Sequence, residues 1–541
     1  MNYMDKYKSW CDNEYFDEFF RKELKRLSEE EIEDSFYKDL SFGTAGLRGV
    51  IGAGSNRMNV YVVGKVTQGY ANFLNDKFNE PSVAIAYDSR RMSKEFAIKS
   101  ADVLSSNNIK VYLCDRIAST PELSFAIREL KASGGIVVTA SHNPAQYNGY
   151  KVYHQEGYQL LPDDAERIVE EIDKLDFIDV KNERNDELIN YLGDDFYNEY
   201  YDTILKLVED RSNKELKIVY SALNGAGARP VVEVLKKAGF NNLYTVPEQM
   251  VADSNFTTVP YPNPEDEKVF KLSKVLGKEN QADILVATDP DSDRVGVMVL
   301  HNGEYETING NQMGALLANY LLKDEADQSI ITTIVSSHLI DEIAKKYDAE
   351  VYKTLTGFKY IGQLISSFDK TKDKFVLGFE ESYGYLTSDH ARDKDAVNTA
   401  LIIAKMADDY KKNGKTLIDA LEEIYMSNGY FKEELLSFVF EGSKGQQEMK
   451  DLIDRFRSLD SFVYHGMDYA DKVDYLKDDT GLPNADVLKF IYEDQSWFAV
   501  RPSGTEPKLK IYISVCEKSY DELNKKMDLM KKMLNDFIGK I

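Results

Sequence analysis

Residues 83–114 read VAIAYDSRRMSKEFAIKSADVLSSNNIKVYLC, and this stretch sets the architecture that we expect for the chain. Two short apolar runs, Val83–Tyr87 and Lys110–Cys114, are predicted strands, and Ser93–Ser105 between them is a predicted helix. A strand, a helix and a second strand in this order form a βαβ unit, whose two strands lie parallel in one sheet. Upstream, residues 14–34 are predicted to form one acidic surface helix.

The same alternation returns twice further along the chain. Leu216–Tyr220 is followed by a predicted helix through Lys237, and Ile330–Val335 by one near residues 338–347. After residue 425 the predicted strands come close together and a final helix follows, which is typical of an α+β domain with an antiparallel sheet. We therefore predict an α/β protein with three similar, mixed or mostly parallel α/β domains and a C-terminal α+β domain. The predicted domains are residues 1–205, 206–305, 306–425 and 426–541.

The composition indicates an ordinary folded protein whose partners are small molecules. At about 150 residues per domain, the 541 residues correspond to three to four domains. The net charge of −25 disfavours general binding to nucleic acid or to an anionic membrane, because both require a positively charged surface. Cys11, Cys114 and Cys516 are too far apart for a disulfide framework or a CxxC metal site, which fits a reducing compartment. The N-terminal segment lacks the apolar core of a secretory signal, so we expect a cytoplasmic protein.

A serine follows the predicted strand Gly135–Thr139, within the segment TASHNP. Active sites of open α/β sheets cluster at the carboxyl ends of strands, which places Ser141 where a nucleophile acts. Ser, Asn and Pro are also common in turns, so on this segment alone a simple turn is an equal alternative. A hydrolase nucleophile fits less well, because the GxSxG pattern is absent around Ser141.

Three aspartates alternate in DPDSDR, directly after the predicted strand Ile284–Ala287. If the loop curls, Asp289, Asp291 and Asp293 converge, and their hard oxygen atoms suit Mg²⁺. An EF-hand calcium loop is excluded, because Arg294 stands where that loop needs a glycine. A solvated acidic turn is the alternative, and it is the weaker interpretation for alternating aspartates between two apolar strands.

Two further loops carry groups suited to a phosphate ester and to a sugar. Arg501–Lys508, RPSGTEPK, combines a forked cation, two hydroxyls and a glycine with exposed backbone amides, although an ordinary hairpin turn is the alternative. Leu377–Gly384 places Glu380, Glu381 and a serine after another strand, and such acidic acceptors bind sugar hydroxyls. A second metal site and a glycosidase pair are alternatives, but the two glutamates point opposite ways if the segment is extended.

Taken together, TASHNPAQYNGYK, DPDSDR, GFEES and RPSGTEPK, in this order and spacing, resemble the α-D-phosphohexomutase superfamily. The resemblance covers essentially the whole chain, including GTAGLRG at residues 43–49. It is closest to the phosphoglucomutase members, in particular a phosphoglucomutase-2/phosphopentomutase-like branch. The resemblance implies four domains around a central active-site cleft, with one functional loop from each domain.

The resemblance also implies roles for individual residues. Ser141 is implied to be the serine that is phosphorylated in the active enzyme, and Asp289, Asp291 and Asp293 are implied to hold one Mg²⁺ together with an oxygen of that phosphoserine. The implied basic residues around the phosphoryl group, among them the general acid and base, are Arg48, His142, Lys151 and Arg294. The implied binding residues for the sugar and its non-reacting phosphate are Lys359, Glu380, Ser382, Lys394, Arg501, Ser503, Gly504 and Thr505.

The implied activity is the interconversion of glucose 1-phosphate and glucose 6-phosphate, with glucose 1,6-bisphosphate as intermediate and activator. The segment GFEESYG resembles the sugar loop of phosphoglucomutases with Phe379 inserted, so glucose is the first choice of sugar. Ribose or deoxyribose phosphates come second and mannose phosphate third. A sugar-phosphate-binding protein without activity and a phosphatase are the alternatives from other functional classes. Both a monomer and a homodimer fit the sequence.

Overall fold

The computed structural model describes residues 2–43, 46–210, 212, 214–440, 442–464, 466, 468–502 and 508–539. The chain divides into two compact units, and each unit contains segments that are distant in sequence. The first unit comprises Met1–Asn309, Ile361–Lys372 and Ser382–Thr416, and the second comprises Gly310–Tyr360, Asp373–Glu381 and Leu417–Ile541.

Three short helices open the first unit: α1 (Tyr3–Asp12), α2 (Glu18–Leu24) and α3 (Glu29–Phe36). The single helix predicted over residues 14–34 is wrong, because Ser28 begins a new helix with its own capping box. The Ser28 hydroxyl accepts the Glu31 N–H, and the Glu31 carboxylate accepts the Ser28 N–H, which satisfies two backbone donors of the first turn.

The first sheet of this unit lies at the centre of an α/β arrangement. Its elements are β1 (Leu47–Val50), α4 (Val60–Lys77), β2 (Ser82–Tyr87), α5 (Ser93–Ser106), β3 (Lys110–Cys114), α6 (Thr120–Glu129), β4 (Gly134–Val138), β5 (Tyr147–His154), α7 (Pro162–Asp173), β6 (Ile189–Leu192) and α8 (Asp194–Leu205). The strand order is β1-β5-β4-β2-β3-β6. Strands β2, β3, β4 and β6 are parallel, whereas β5 and β1 run antiparallel to their neighbours. The central strands are apolar along their length because helices cover both faces of a parallel sheet.

The second sheet repeats this plan on a smaller scale. Its elements are β7 (Ile218–Ser221), α9 (Pro230–Lys237), β8 (Leu243–Thr245), α10 (Lys271–Asn280), β9 (Ile284–Thr288), β10 (Val295–His301) and β11 (Glu304–Ile308). The strand order is β11-β10-β9-β7-β8, with β7, β8 and β9 parallel. Strand β10 pairs antiparallel with β9, so residues 289–294 form the turn that connects them.

The next part of the chain contributes to both units. Its elements are α11 (Gly310–Leu321), β12 (Gln328–Thr333), α12 (Leu339–Lys346), β13 (Glu350–Thr354), α13 (Phe358–Phe368), β14 (Lys374–Glu380), β15 (Gly384–Leu386) and α14 (Ala396–Lys412). In the second unit β12 lies between β13 and β14, and all three strands are parallel. Strand β15 and helix α14 belong to the first unit.

The C-terminal part of the second unit has a different architecture, built on an antiparallel sheet. Its elements are α15 (Leu417–Asn428), β16 (Tyr430–Val439), α16 (Gly442–Arg457), β17 (Asp471–Asp474), β18 (Leu488–Ile491), β19 (Trp497–Pro502), β20 (Lys508–Glu517) and α17 (Tyr520–Ile538). The strand order is β16-β20-β19-β18-β17, and every pair is antiparallel. Apolar side chains of α16 and α17 pack on one face of this sheet, among them Leu452, Phe456, Met527 and Leu534.

The predicted fold class is confirmed: three sheets with parallel strands and covering helices precede an antiparallel sheet with two helices. The four domain boundaries stay a prediction. Among the described residues, we find no helix that combines the length and the apolar character needed to span a membrane.

A buried lysine joins two parts of the second unit. Lys489 lies on β18 and is 5% exposed, its ammonium donates to the Ile334 carbonyl at 2.7 Å, and it lies 4.2 Å from the centre of the Trp497 ring. The surrounding buried apolar residues are Ile334, Val335, Leu355, Tyr475, Val487, Trp497, Ala499 and Tyr512. Burial, together with the positive charge of Lys353, lowers the pKa of Lys489 to about 7.

The free energy of unfolding is therefore expected to rise between pH 7 and pH 9. An unfolded lysine keeps its proton up to a pKa of about 10.4, whereas folded Lys489 loses it near 7, so the unfolded state binds more protons in this window. The expected rise is about 2–3 kcal/mol. Urea unfolding followed by Trp497 fluorescence in a Trp10→Phe background measures it, because the chain has only these two tryptophans.

The matched variant for this prediction is Lys489→Met, which keeps the length of the side chain and removes the titrating group. Between pH 7 and pH 9, the free energy of unfolding of this variant should rise by about 2–3 kcal/mol less than that of the parent protein. An unchanged slope in Lys489→Met would assign the pH dependence to other groups.

Candidate active site

Ser141 lies in the turn that follows β4 and is buried, with 4% of its surface exposed. Its backbone φ is +51°, in the left-handed region that residues other than glycine rarely adopt. The Ser141 N–H donates to Thr139 Oγ1 at 2.8 Å, and the hydroxyl donates to Asp289 Oδ2 at 2.8 Å. The turn therefore aims a serine oxygen from the first sheet at the first aspartate of the DPDSDR loop on the second sheet.

The DPDSDR loop curls around its own first carboxylate. Asp289 Oδ1 accepts the backbone N–H groups of Asp293 at 3.1 Å and of Arg294 at 3.0 Å. As a result Asp289, Asp291 and Asp293, all buried, each offer a carboxylate oxygen within 4.8 Å of one another. The alternating spacing thus leads to a convergent trio of acids.

Donors from three other segments occupy some of these carboxylate oxygens. Asp291 Oδ2 accepts the Lys151 ammonium at 2.8 Å and the Thr120 hydroxyl at 3.0 Å. Asp293 Oδ2 lies 3.2 Å from the Lys394 ammonium. Asp291 Oδ1 and Asp293 Oδ1 are also buried, but they accept no hydrogen bond from the residues that the structure describes. Lys151 and Lys394 therefore each hold one oxygen, of Asp291 and of Asp293, and the second oxygen of these two carboxylates has no hydrogen-bond donor among the described residues. Arg294 Nε lies 3.9 Å from Asp293 Oδ1.

This arrangement fits a divalent cation. Buried carboxylate oxygens without a donor are costly unless a positive group pairs with them, and Mg²⁺ takes oxygen ligands of this kind. Burial, with the negative charges of Asp291 and Asp293, raises the pKa of Asp289 well above its ordinary value. Burial also acts on Asp291, but the positive charge of the Lys151 ammonium, 2.8 Å from Asp291 Oδ2, outweighs it and holds the pKa of Asp291 well below its ordinary value.

Basic residues lie around residues 141–147, the serine turn. The Nδ1 atom of His142 is 3.2 Å from Ser141 Oγ. Burial, with the positive charges of Arg294 and Arg48, lowers the pKa of His142 well below its ordinary value and favours the neutral imidazole. Arg48 donates to Asn143 Oδ1 at 3.3 Å, which ties the strand β1 to the serine turn.

In the second unit, the two glutamates of the GFEES segment contact different partners. Glu380 ends β14 and is buried, and its Oε1 atom accepts the Gly357 N–H at 2.8 Å. Glu381 Oε2 accepts the Thr333 hydroxyl at 3.2 Å. Each glutamate is therefore engaged with its own segment, which does not favour a paired-carboxylate site of the glycosidase type.

Two cations of the second unit, Lys359 and Arg501, interact electrostatically. Lys359 comes shortly after the Gly357 turn, and Arg501 lies on β19. Burial, with the positive charge of Arg501, lowers the pKa of Lys359 to about 8. Burial raises the pKa of the Tyr512 hydroxyl, and the positive charge of Arg501 opposes this rise. Neighbouring lysine and arginine side chains of this kind suit a phosphate dianion.

The residues predicted from the sequence fall into two groups, one in each unit. The first unit brings together Arg48, Ser141, His142, Lys151, Asp289, Asp291, Asp293, Arg294 and Lys394. The second unit contains Lys359, Glu380 and Arg501. Ser382 belongs to the first unit, beside Tyr383, whose carbonyl accepts the Val295 N–H at 3.1 Å. The predictions for Ser503, Gly504 and Thr505 lie outside the described residues.

Several residues that contact this site did not emerge from the sequence. Glu265 forms a close ion pair with Arg294, and Asp393 lies 3.0 Å from the Lys394 ammonium. No local pattern marks Glu265, which stands 29 positions before its partner in an irregular loop. Arg90 donates to carbonyl groups of the serine turn, and its position in the sequence could have identified it as a site residue. It lies three positions after the end of β2, at the same edge of the same parallel sheet as Ser141.

Comparison with known proteins matches four successive segments of the chain to the domains of one protein family. Four family profiles match: phosphoglucomutase/phosphomannomutase alpha/beta/alpha domain I at residues 39–179, domain II at 196–303, domain III at 309–426 and the C-terminal domain at 465–528. A phosphoglucomutase of Staphylococcus haemolyticus is 39% identical over 512 residues, which is 91% of this chain and 93% of the relative. A phosphoglucomutase of Staphylococcus epidermidis is 37% identical over 541 residues, 96% of this chain and 98% of the relative. The crystal structure of pp63/parafusin from Paramecium shares the fold, with a TM-score of 0.72, 19% identity and coverage of 93% of this chain and 95% of that one.

Proposed function

Because the chain belongs to the phosphoglucomutase/phosphomannomutase family, we propose that it is a phosphoglucomutase that interconverts glucose 1-phosphate and glucose 6-phosphate. One observation supports this most directly: the buried Ser141 hydroxyl lies 2.8 Å from Asp289 within a trio of buried aspartates. Phosphoryl transfer depends on positioning and on the neutralisation of charge more than on covalent activation. A fixed serine oxygen beside a candidate cation site supplies both.

At the reacting end, Ser141 is proposed to carry the phosphoryl group. The basic residues proposed to hold it, and to include the general acid and base, are Arg48, His142, Lys151 and Arg294. Asp289, Asp291 and Asp293, with an oxygen of the phosphorylated serine, are the proposed holders of one Mg²⁺. When bound, Mg²⁺ neutralises negative charge on the phosphoryl oxygens.

The other proposed residues bind the sugar and its non-reacting phosphate. They are Lys359, Glu380, Ser382, Lys394, Arg501, Ser503, Gly504 and Thr505. The proximity of Lys359 to Arg501 supports a phosphate site there. The Lys394 ammonium lies 3.2 Å from Asp293, which supports a role for Lys394 in binding the sugar close to the aspartate trio.

In the proposed reaction, the C6 hydroxyl of glucose 1-phosphate attacks the phosphorus atom of phosphorylated Ser141. The bond from the serine oxygen to phosphorus breaks, the hydroxyl proton passes to a base, an acid protonates the released serine oxygen, and glucose 1,6-bisphosphate is formed. The bisphosphate turns around, its C1 phosphoryl group passes to the Ser141 oxygen, and glucose 6-phosphate is released. Free glucose 1,6-bisphosphate acts as the activator, because it phosphorylates a Ser141 that has lost its phosphoryl group.

Initial rates with three substrates test this proposal. Glucose 1-phosphate, ribose 1-phosphate and mannose 1-phosphate are compared as competitors, each with Mg²⁺ and a trace of glucose 1,6-bisphosphate. A preference for glucose 1-phosphate is expected, because the curated relatives named above are phosphoglucomutases. A preference for ribose 1-phosphate or mannose 1-phosphate would make the protein a phosphopentomutase or a phosphomannomutase with the same residue roles. No turnover of any of the three would refute the mutase proposal.

We also propose that the enzyme acts in the cytoplasm, either as a monomer or as a homodimer. Its small phosphosugar substrates occur there, and three widely separated cysteines suit a reducing compartment. The net charge of −25 supports the absence of nucleic-acid and anionic-membrane partners. Light scattering of the purified protein distinguishes the two oligomeric states.

The phosphate site of the second unit leads to a pH prediction. Because the pKa of Lys359 is lowered to about 8, its ammonium loses its proton above pH 8 and attracts a phosphate dianion less. The kcat/KM for glucose 1-phosphate is therefore expected to fall by up to about tenfold per pH unit above pH 8. Initial rates between pH 7 and pH 10 measure this fall. Lys359→Arg keeps a positive charge throughout this range and should remove the fall, whereas the same fall in Lys359→Arg would assign it to another group.

A further inference from the structure

One buried guanidinium donates hydrogen bonds to four backbone carbonyl groups of the serine turn. Arg90 donates to the Pro144 carbonyl at 3.0 Å and to the Tyr147 carbonyl at 3.2 Å. It also donates, in close contacts, to the carbonyls of Ser141 and Asn143. Four acceptors within seven consecutive residues thus converge on one side chain from the segment that follows β2.

Arg90 is itself held in a fixed position. It is 3% exposed, its N–H donates to Asp88 Oδ1 at 2.9 Å, and its Nε atom lies 3.3 Å from Asp88 Oδ2. Its guanidinium stacks over the Phe256 ring at 4.8 Å. A second link lies beside it, because Asn148 Nδ2 donates to the Arg91 carbonyl at 2.9 Å and to the Ser93 hydroxyl at 3.0 Å. The end of β2 therefore forms a rigid anchor for the serine turn.

The conformation of Ser141 explains why such an anchor is needed. A φ of +51° is unfavourable for serine, so the turn would relax if nothing held the carbonyl in place. The same backbone conformation aims the hydroxyl at Asp289 Oδ2, 2.8 Å away. A small rotation of the turn would move the reacting oxygen away from the carboxylates.

The chemistry of the anchor requires arginine. A guanidinium offers five N–H donors in a planar fork, which lets one side chain serve several carbonyls and one carboxylate together. A lysine ammonium offers three donors from one point and cannot span the same set of acceptors.

We propose that Arg90 is a positioning residue for phosphoryl transfer, which holds the Ser141 turn in the conformation that presents its oxygen to Asp289. This inference rests on the proposed function, because it assigns Arg90 a role in that same site. Arg90 acts through the backbone of residues 141–147 and not through contact with the substrate.

The test compares Arg90→Lys and Arg90→Met with Arg91→Met in the full-length protein. Arg91 is the adjacent arginine and its side chain is exposed, so Arg91→Met removes the same charge without removing the anchor. Loss of positioning is expected to lower kcat about 10²-fold in Arg90→Met and about tenfold in Arg90→Lys. The KM for glucose 1-phosphate should change less than about twofold, because the phosphate site of the second unit is untouched. Arg91→Met should keep the parent kcat.

Amide hydrogen exchange of the substrate-free proteins gives a readout that does not depend on activity. In Arg90→Lys, faster exchange is expected for the peptides that contain residues 139–149 and for few others. Parent kcat and parent exchange in Arg90→Lys would overturn the proposal, and so would a loss of protection spread over the whole first unit. If Arg90→Met does not fold, the results for Arg90→Lys decide. If the parent protein shows no mutase activity, the proposed function fails, and the exchange comparison still decides whether Arg90 holds the turn.

Discussion

Ser141→Ala is expected to abolish mutase turnover, with a loss in kcat/KM of at least about 10⁴-fold. The variant lacks the oxygen that accepts and returns the phosphoryl group, and no other hydroxyl is placed as the Ser141 oxygen is, 2.8 Å from Asp289, among the residues that the structure describes. Initial rates with glucose 1-phosphate, Mg²⁺ and glucose 1,6-bisphosphate measure the loss. Incubation with bisphosphate carrying labelled phosphate should leave no label on the variant, whereas the parent protein should become labelled once per chain.

The fold should survive this substitution. Ser141→Ala removes one buried hydrogen bond to Asp289, which is worth about 1 kcal/mol. Ser437→Ala, on the exposed side of β16, serves as the control and should keep the parent rate. Turnover above a tenth of the parent value in Ser141→Ala would rule out the phosphoserine mechanism. Release of inorganic phosphate without isomerisation in the parent protein would instead favour a phosphatase.

Asp291→Asn is expected to weaken Mg²⁺ binding at least about 100-fold and to lower mutase activity about 10³-fold. The substitution removes one of three converging negative charges and replaces the buried carboxylate, whose Oδ1 atom accepts no hydrogen bond from the described residues. It also places a neutral amide beside the Lys151 ammonium. In the parent protein this ammonium lies 2.8 Å from Asp291 Oδ2. Calorimetric titration with Mg²⁺, and titration with Mn²⁺ followed by electron paramagnetic resonance, measure the affinity directly.

A matched control separates this effect from general charge removal. Asp324→Asn makes the same chemical change at an exposed position of the second unit and should leave affinity and activity unchanged. Removal of the cation from the parent protein with EDTA should abolish activity, and added Mg²⁺ should restore it. Parent-like Mg²⁺ affinity in Asp291→Asn would show that the aspartate trio is not the cation site.

Both predictions concern residues that local sequence patterns made visible. Ser141 and the aspartates each follow a short apolar strand, and the alternation of strands and helices predicts where such strand ends lie. The curl of the DPDSDR loop is also local, because Asp289 accepts backbone N–H groups only four and five positions further along. Patterns of this kind depend on a few consecutive residues, so the sequence alone is sufficient to find them.

The error at the N-terminus has a similarly local cause. Residues 14–34 contain enough acidic and apolar residues for one helix, but Ser28 and Glu31 form a capping box that begins a separate helix. The sequence carries the SxxE signal of a new helix at residues 28–31. Hydrogen bonds of single side chains to the backbone determine where helices begin, and composition does not report them.

The sequence by itself determined the candidate nucleophile with its aspartates, because each depends on a pattern within a short segment. It also determined the fold class and the family, because these follow from the order in which such local patterns recur along the chain. Only the tertiary structure decided which groups surround them. Lys151 reaches Asp291 over 140 positions, and Arg90 reaches the Ser141 carbonyl over 51 positions. Contacts of this range arise when separate strands and sheets pack together, and they depend on the register and direction of every element between the two partners. No local pattern encodes that packing, so the oxygens left open for a cation and the anchor of the serine turn became visible only in three dimensions.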